Sequence, residues 1–69
     1  MSDKVYKKVE IVGTSSKSYE DAIQVAIHQA RKTLKGLSWF EVAELRGNLQ
    51  ATAITYQVTL RVGFQVLDE

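Results

Sequence analysis

The sequence predicts an α+β fold in the order β-α-β-β, with a three-stranded antiparallel sheet of order 1-3-2 wrapped around one helix. Three observations predict it. An apolar stripe at helical spacing has a marked start and stop between Ser18 and Gly36. From Thr52 to Val66, apolar and polar residues alternate with little interruption. Two further β-rich runs lie on either side of the helical segment.

The first strand covers Val5 to Val12, with Val5, Val9 and Ile11 on one face and Lys8 and Glu10 on the other. Lys7 breaks the alternation, as an edge strand tolerates. Gly13-Thr14-Ser15-Ser16 reads as the loop that closes this strand. Ser18 is a good N-cap, with Asp21 three residues later in a capping-box relation, and Glu20 and Asp21 suit the positive end of the helix dipole. Tyr19, Ala22, Ile23, Ala26, Ile27, Ala30, Leu34 and Leu37 form the stripe. Arg31, Lys32 and Lys35 load the last turns with positive charge, and Gly36 stands where a left-handed cap belongs.

Trp39 to Arg46 reads as the second strand, and Gly47 and Asn48 begin a connection. In the last strand Ile54, Tyr56, Val58, Leu60, Val62, Phe64 and Val66 point one way, while Thr55, Gln57, Thr59, Arg61, Gly63 and Gln65 point the other. A helix of about eighteen residues spans about 27 Å, enough to cover about eight strand residues. The rest of the apolar face needs another cover, which points to another subunit. A right-handed crossover makes the first two strands parallel in direction, and the longest strand between them gives the order 1-3-2. The second sheet face has no covering element in its own chain.

At 69 residues the chain has room for one domain, taken as 1–69. A fold this small buries only about 60% of its surface and usually needs a staple. Without cysteine it has neither disulfides nor thiolate metal sites, and a reducing compartment is expected. One histidine cannot by itself make a zinc site. Oligomerisation remains as the added stabilisation. Nine basic against eight acidic residues leave a net charge of +1, which argues against a nucleic-acid partner. No apolar run approaches bilayer length and the N-terminus lacks the apolar core of a signal peptide, so a cytoplasmic protein without a membrane partner is expected.

Catalysis finds little support, and the chain is not expected to be an enzyme. His28 lies mid-helix without a serine or carboxylate partner definable from spacing, and reads as a solvent-facing or interface residue. Glu41 and Glu44 stand three apart on a strand, so regular alternation puts them on opposite faces. The Gly13–Ser16 segment lacks the glycine spacing and lysine of a P-loop, and Glu20 and Asp21 would repel phosphate.

Trp39 is the informative residue. It and Phe40 are strand neighbours, so at most one can face the helix. Trp39 is either buried, in the core or at a subunit interface, or presented for stacking on a planar ligand. An indole beside the Gln57 amide and an arginine would suit a flat, electron-poor ring with polar edges and a phosphate.

The sequence resembles the dodecins, small flavin-binding proteins that assemble as hollow dodecamers. The likeness covers nearly the whole chain. It rests on Val5-Tyr6-Lys7-Lys8-Val9-Glu10 leading into Val12-Gly13-Thr14-Ser15, and on Ala30-Arg31-Lys32-Thr33-Leu34. Trp39-Phe40-Glu41-Val42, Leu45-Arg46-Gly47, Tyr56-Gln57-Val58 and Val62-Gly63-Phe64 carry the rest. The resemblance implies a homo-dodecamer holding flavins in pairs at two-fold interfaces, each ring stacked on a tryptophan. By position Trp39 is that tryptophan and Gln57 the side chain bonding the ring edge. Arg46 falls near the flavin phosphate, which favours flavin mononucleotide (FMN) over riboflavin, with riboflavin or FAD as the alternative flavins, and Glu44 falls where relatives place an acid close to the ligand. The implied role is flavin storage and sequestration, with quenching of flavin photochemistry. Some members also bind coenzyme A, and Gln65 stands where a relative carries arginine. The alternative function is an oligomeric shell for coenzyme A or an ion, without a flavin role.

Overall fold

The computed structural model describes residues 3–66, so the two ends of the 1–69 span lie outside the described residues. Its elements are β1 (Val5–Ser15), α1 (Tyr19–Thr33), β2 (Leu37–Leu49) and β3 (Ile54–Val66). The strands form one antiparallel sheet of order β1-β3-β2, as the sequence predicts.

The first strand is longer than its alternation suggested. Gly13, Thr14 and Ser15 do not form a loop but pair with Val58, Gln57 and Tyr56 of β3. Gly13 is buried because α1 passes directly over it. A Cβ there would lie 2.5 Å from the Ala22 carbonyl oxygen and 2.7 Å from the Ala26 Cβ. The glycine is thus a packing residue rather than a turn residue.

Ser18 caps α1 as expected, its Oγ accepting from the Asp21 backbone N–H at 2.9 Å. The Asp21 carboxylate does not close a reciprocal box. It accepts from the Ser15 hydroxyl at 2.7 Å, and Ser15 Oγ in turn accepts from the Lys17 N–H at 2.8 Å. The end of β1 therefore organises the helix start. The helix ends at Thr33, with Leu34 as an extended C-cap, so it has 15 residues rather than about eighteen. Gly36 has φ +75°, the left-handed geometry its position predicts, and its carbonyl accepts from the Gln65 N–H. Leu34 and Leu37 leave the helix but still pack on the core.

Ala22 and Ala26 pack with Val58, Leu60 and Val62, and with Ala30 these are the six buried apolar residues among those described. Small alanines let α1 lie close to the sheet, where it packs mainly on β1 and β3. The result is long and thin, 55 × 20 × 14 Å. Its radius of gyration is 14.4 Å, against about 11 Å for a compact chain of this length. Its surface of 5290 Å² exceeds the roughly 4,400 Å² expected of a compact monomer of this mass. Phe40, Val42, Leu45 and Leu49, on the helix side of β2, all stay exposed. The alanine stripe of α1 and the centre of β3 bury each other, while the helix side of β2 is left open.

Candidate functional site

Two bulges in β2 decide where its side chains point. Leu37 pairs with Phe64 and Trp39 with Gly63, so Ser38 is an extra residue between them. Regular alternation would have put Leu37 and Trp39 on one face. With the bulge, Leu37 turns in to the core and Trp39 turns out to the face away from α1. A second shift falls between Val42, opposite Leu60, and Glu44, opposite Thr59. It carries Glu44, Arg46 and Asn48 to the same outer face as Trp39 and Glu41. The expectation that Glu41 and Glu44 point to opposite faces is therefore wrong, because Ala43 is the extra residue between them. The connection expected at Gly47 and Asn48 is likewise displaced. Both residues are in β2, opposite Tyr56 and Thr55, and the turn comes at Gln50–Ala53.

The indole of Trp39 crosses β3 over Gly63. A Cβ at Gly63 would lie 2.5 Å from both Cε2 and Cη2 of the ring, with Cζ2 between them just as near. Near-equal approach to three consecutive ring atoms means that the ring face, not its edge, covers the glycine. On β1 the ring meets Tyr6 in an edge contact, with centroids 5.3 Å apart and planes at 61°. Its Nε1–H donates to Glu41 Oε2 at 3.1 Å. One indole face is thus laid on the sheet, the polar edge is satisfied, and the residue remains 39% exposed.

Glu41 belongs to a chain of charges on the same face. Lys8 Nζ lies 3.2 Å from Glu41 Oε2, Arg61 Nη1 lies 4.0 Å from Oε1, and Arg61 Nε donates to Glu10 at 3.0 Å. The indole N–H, and after it the Lys8 ammonium, hold the Glu41 carboxyl below the usual glutamate range.

Gln57, Arg46 and Glu44 form a second group further along the sheet. Arg46 pairs with Gln57 across the β2–β3 ladder, and Glu44 stands opposite Thr59. Asn48 Nδ2 donates to Gln57 Oε1 at 3.1 Å, which orients the glutamine amide. Among the described residues Arg46 makes no ion pair. The image of an indole beside this amide within one chain needs correction, although Arg61, on the same face, does lie near the indole, 4.0 Å from the Glu41 carboxylate that bonds it. Gly63 and Gln57 are six residues apart on β3, about 20 Å at strand rise. No single three-ring ligand touches both ends within one chain. Gln65 lies on the outer face opposite Tyr6, beyond the indole.

The Dodecin family profile matches residues 5–67. The chain belongs to the dodecin family. A dodecin of Thermus thermophilus is 58% identical over 64 residues, covering 91% of this chain and 93% of the relative. A calcium dodecin of Mycobacterium tuberculosis is 33% identical over 63 residues, covering 90% and 89% of the two chains. Among solved structures, the Thermus thermophilus protein superposes with a TM-score of 0.90 at 53% identity, over 97% of this chain and 100% of that one. Dodecin from Streptomyces davaonensis gives 0.90 at 46% identity, over 99% and 100%. These dodecin structures share the β-α-β-β order found here. No helix among the described residues is long and apolar enough to cross a membrane.

Sequence reasoning singled out Trp39, Glu44, Arg46 and Gln57, and it gave no part to Tyr6, Glu41, Asn48 and Gly63, which the structure brings against Trp39 or Gln57. A signal for the second bulge was present: apolar residues fall at Phe40 and Val42, then at Leu45, Gly47 and Leu49, so the alternation changes phase near Ala43.

Proposed function

We propose that this dodecin is a flavin-binding storage protein that stacks FMN on Trp39 at subunit interfaces of a homo-dodecamer and is not an enzyme. The observation that carries the reading is the indole itself. One ring face rests on Gly63, the polar edge is bonded to Glu41, and a flat guest can take the other face. That arrangement fits an isoalloxazine, whose electron-poor rings stack on an electron-rich partner. The family resemblance supplies the rest. Across a two-fold axis a second Trp39 closes the stack, Gln57 bonds the ring edge and Arg46 meets the phosphate.

The separation of Trp39 from Gln57 within one chain favours a site shared between chains. So do the exposed apolar residues of β2, which a partner subunit would bury. Binding and assembly are then linked, since a ligand that binds only the assembled form stabilises it. Within the stack the indole gives an electron to the photoexcited ring, and charge recombination returns it, so light energy is lost without net chemistry. Glu44 stands by Arg46 on the face expected to line the ligand.

The test is a titration of FMN with protein, read by flavin fluorescence. The parent quenches it at stoichiometric protein, and Trp39→Ala loses most of the effect. An alanine variant that binds and quenches like the parent would sink the assignment. Coenzyme A, as a second ligand, is tested by competition in the same titration.

A further inference from the structure

A tryptophan on an open sheet face has two side-chain torsions, and strand geometry alone does not choose among their staggered wells. Here three contacts choose. Gly63 leaves room for the ring to lie flat, Tyr6 stops its far edge, and Glu41 accepts its N–H at 3.1 Å. Gly63 and Tyr6 define a surface the ring can rest on. Glu41 is the contact with a direction, because only one indole orientation points Nε1–H at it.

We infer that Glu41 is a positioning residue of the stacking site: its carboxylate fixes the indole orientation and enriches the ring's electron density, so that the free face is set before any ligand arrives. Glu41 is itself held from both neighbouring strands. Lys8 on β1 donates to both carboxylate oxygens, at 3.3 and 3.2 Å, while Arg61 on β3 approaches Oε1 and is anchored by Glu10. Exposed ion pairs of this kind contribute little to folding. Their consequence here is orientation, since a carboxylate tied from two sides is a fixed acceptor. A hydrogen bond to a carboxylate also pushes charge onto the donor, and the donor here is the ring that must stack on an electron-poor guest.

The inference rests on the flavin reading for its consequence but not for its geometry. An indole that must be immobilised on binding weakens affinity by a factor of about 2 to 10. Trp39 is the sole tryptophan, so its emission reports the site without ligand. The experiment compares the parent with Glu41→Ala, which removes the acceptor, and Glu41→Gln, which keeps a neutral one. Each is measured by time-resolved fluorescence anisotropy without ligand and by titration with FMN. Glu41→Ala should show faster local motion of the indole and about threefold to tenfold weaker FMN binding. Glu41→Gln should restore most of the ordering and part of the affinity, which a merely structural role would not produce. If indole motion and FMN affinity in Glu41→Ala both match the parent, the inference is overturned. Should the parent itself ignore FMN while Glu41→Ala still loosens the indole, the flavin reading falls and the positioning role stands.

Discussion

The face of the Trp39 indole lies on Gly63 of the neighbouring strand, and no side chain larger than hydrogen fits beneath it. The glycine is therefore part of the proposed stacking platform, although it has no side chain to offer a ligand. Gly63→Ala should lift the ring, shift its emission and weaken FMN binding about tenfold or more. Overpacking of this kind costs about 1–3 kcal/mol, so circular dichroism should still report a folded chain. Unchanged FMN affinity would show that the ring does not need its seat.

Arg46 makes no ion pair among the described residues and sits beside the oriented Gln57 amide. Arg46→Ala should weaken FMN binding about threefold to tenfold and leave riboflavin binding unchanged, since only FMN carries the phosphate. Parallel titrations with the two flavins check it. Equal losses for both would remove the phosphate role.

On β2, Phe40 and Leu45 are 46% and 53% exposed on the helix side of the sheet. If a partner subunit covers them, Leu45→Glu buries an unpaired carboxylate there, at a cost of several kcal/mol. Sedimentation should show the assembly broken into smaller species, and flavin quenching should fall with it. An assembly of parental mass would place the interface elsewhere.

Gly13 serves the core in the way Gly63 serves the site. The Ala22 carbonyl and the Ala26 methyl occupy the space a Cβ would need, and both belong to the helix. Gly13→Ala should lower stability by about 1–3 kcal/mol, read from the midpoint of urea unfolding. A midpoint equal to the parent's would mean that α1 can move away from β1 without cost.

The lowered Glu41 pKa sets an acid limit on the platform. Its folded value lies below its unfolded one, so the interaction is complete above the unfolded value and is lost as pH falls through the folded value. Indole emission should hold from pH 7 to about 5 and change only below the ordinary glutamate range. Lys8, Arg61 and the Arg61-bound Glu10 face Glu41 from the adjacent strands, and Glu44 shares its strand face. Glu41→Gln isolates its part: the acid transition should disappear in that variant and persist in Glu44→Gln.

Local rules fixed much of this molecule from its sequence. The Ser18 cap, the alanine-rich stripe, left-handed Gly36 and the two faces of β3 depend on residues a few positions apart. For the same reason the β-α-β-β order could be read directly, whereas Gln57 and Arg46 were singled out as site residues by the family resemblance. Which way those residues point was decided only by tertiary structure. A bulge is a mismatch between two strands, so the extra residues Ser38 and Ala43 acquire meaning only when β2 is laid against β3. Gly13 looked like a turn until the helix was placed over it, and Glu41 looked like an ordinary surface acid until Trp39, Lys8 and Arg61 met around it. Neighbours along the chain set conformation. Neighbours across it, brought together by strand pairing, set orientation and charge, and the candidate site consists of those.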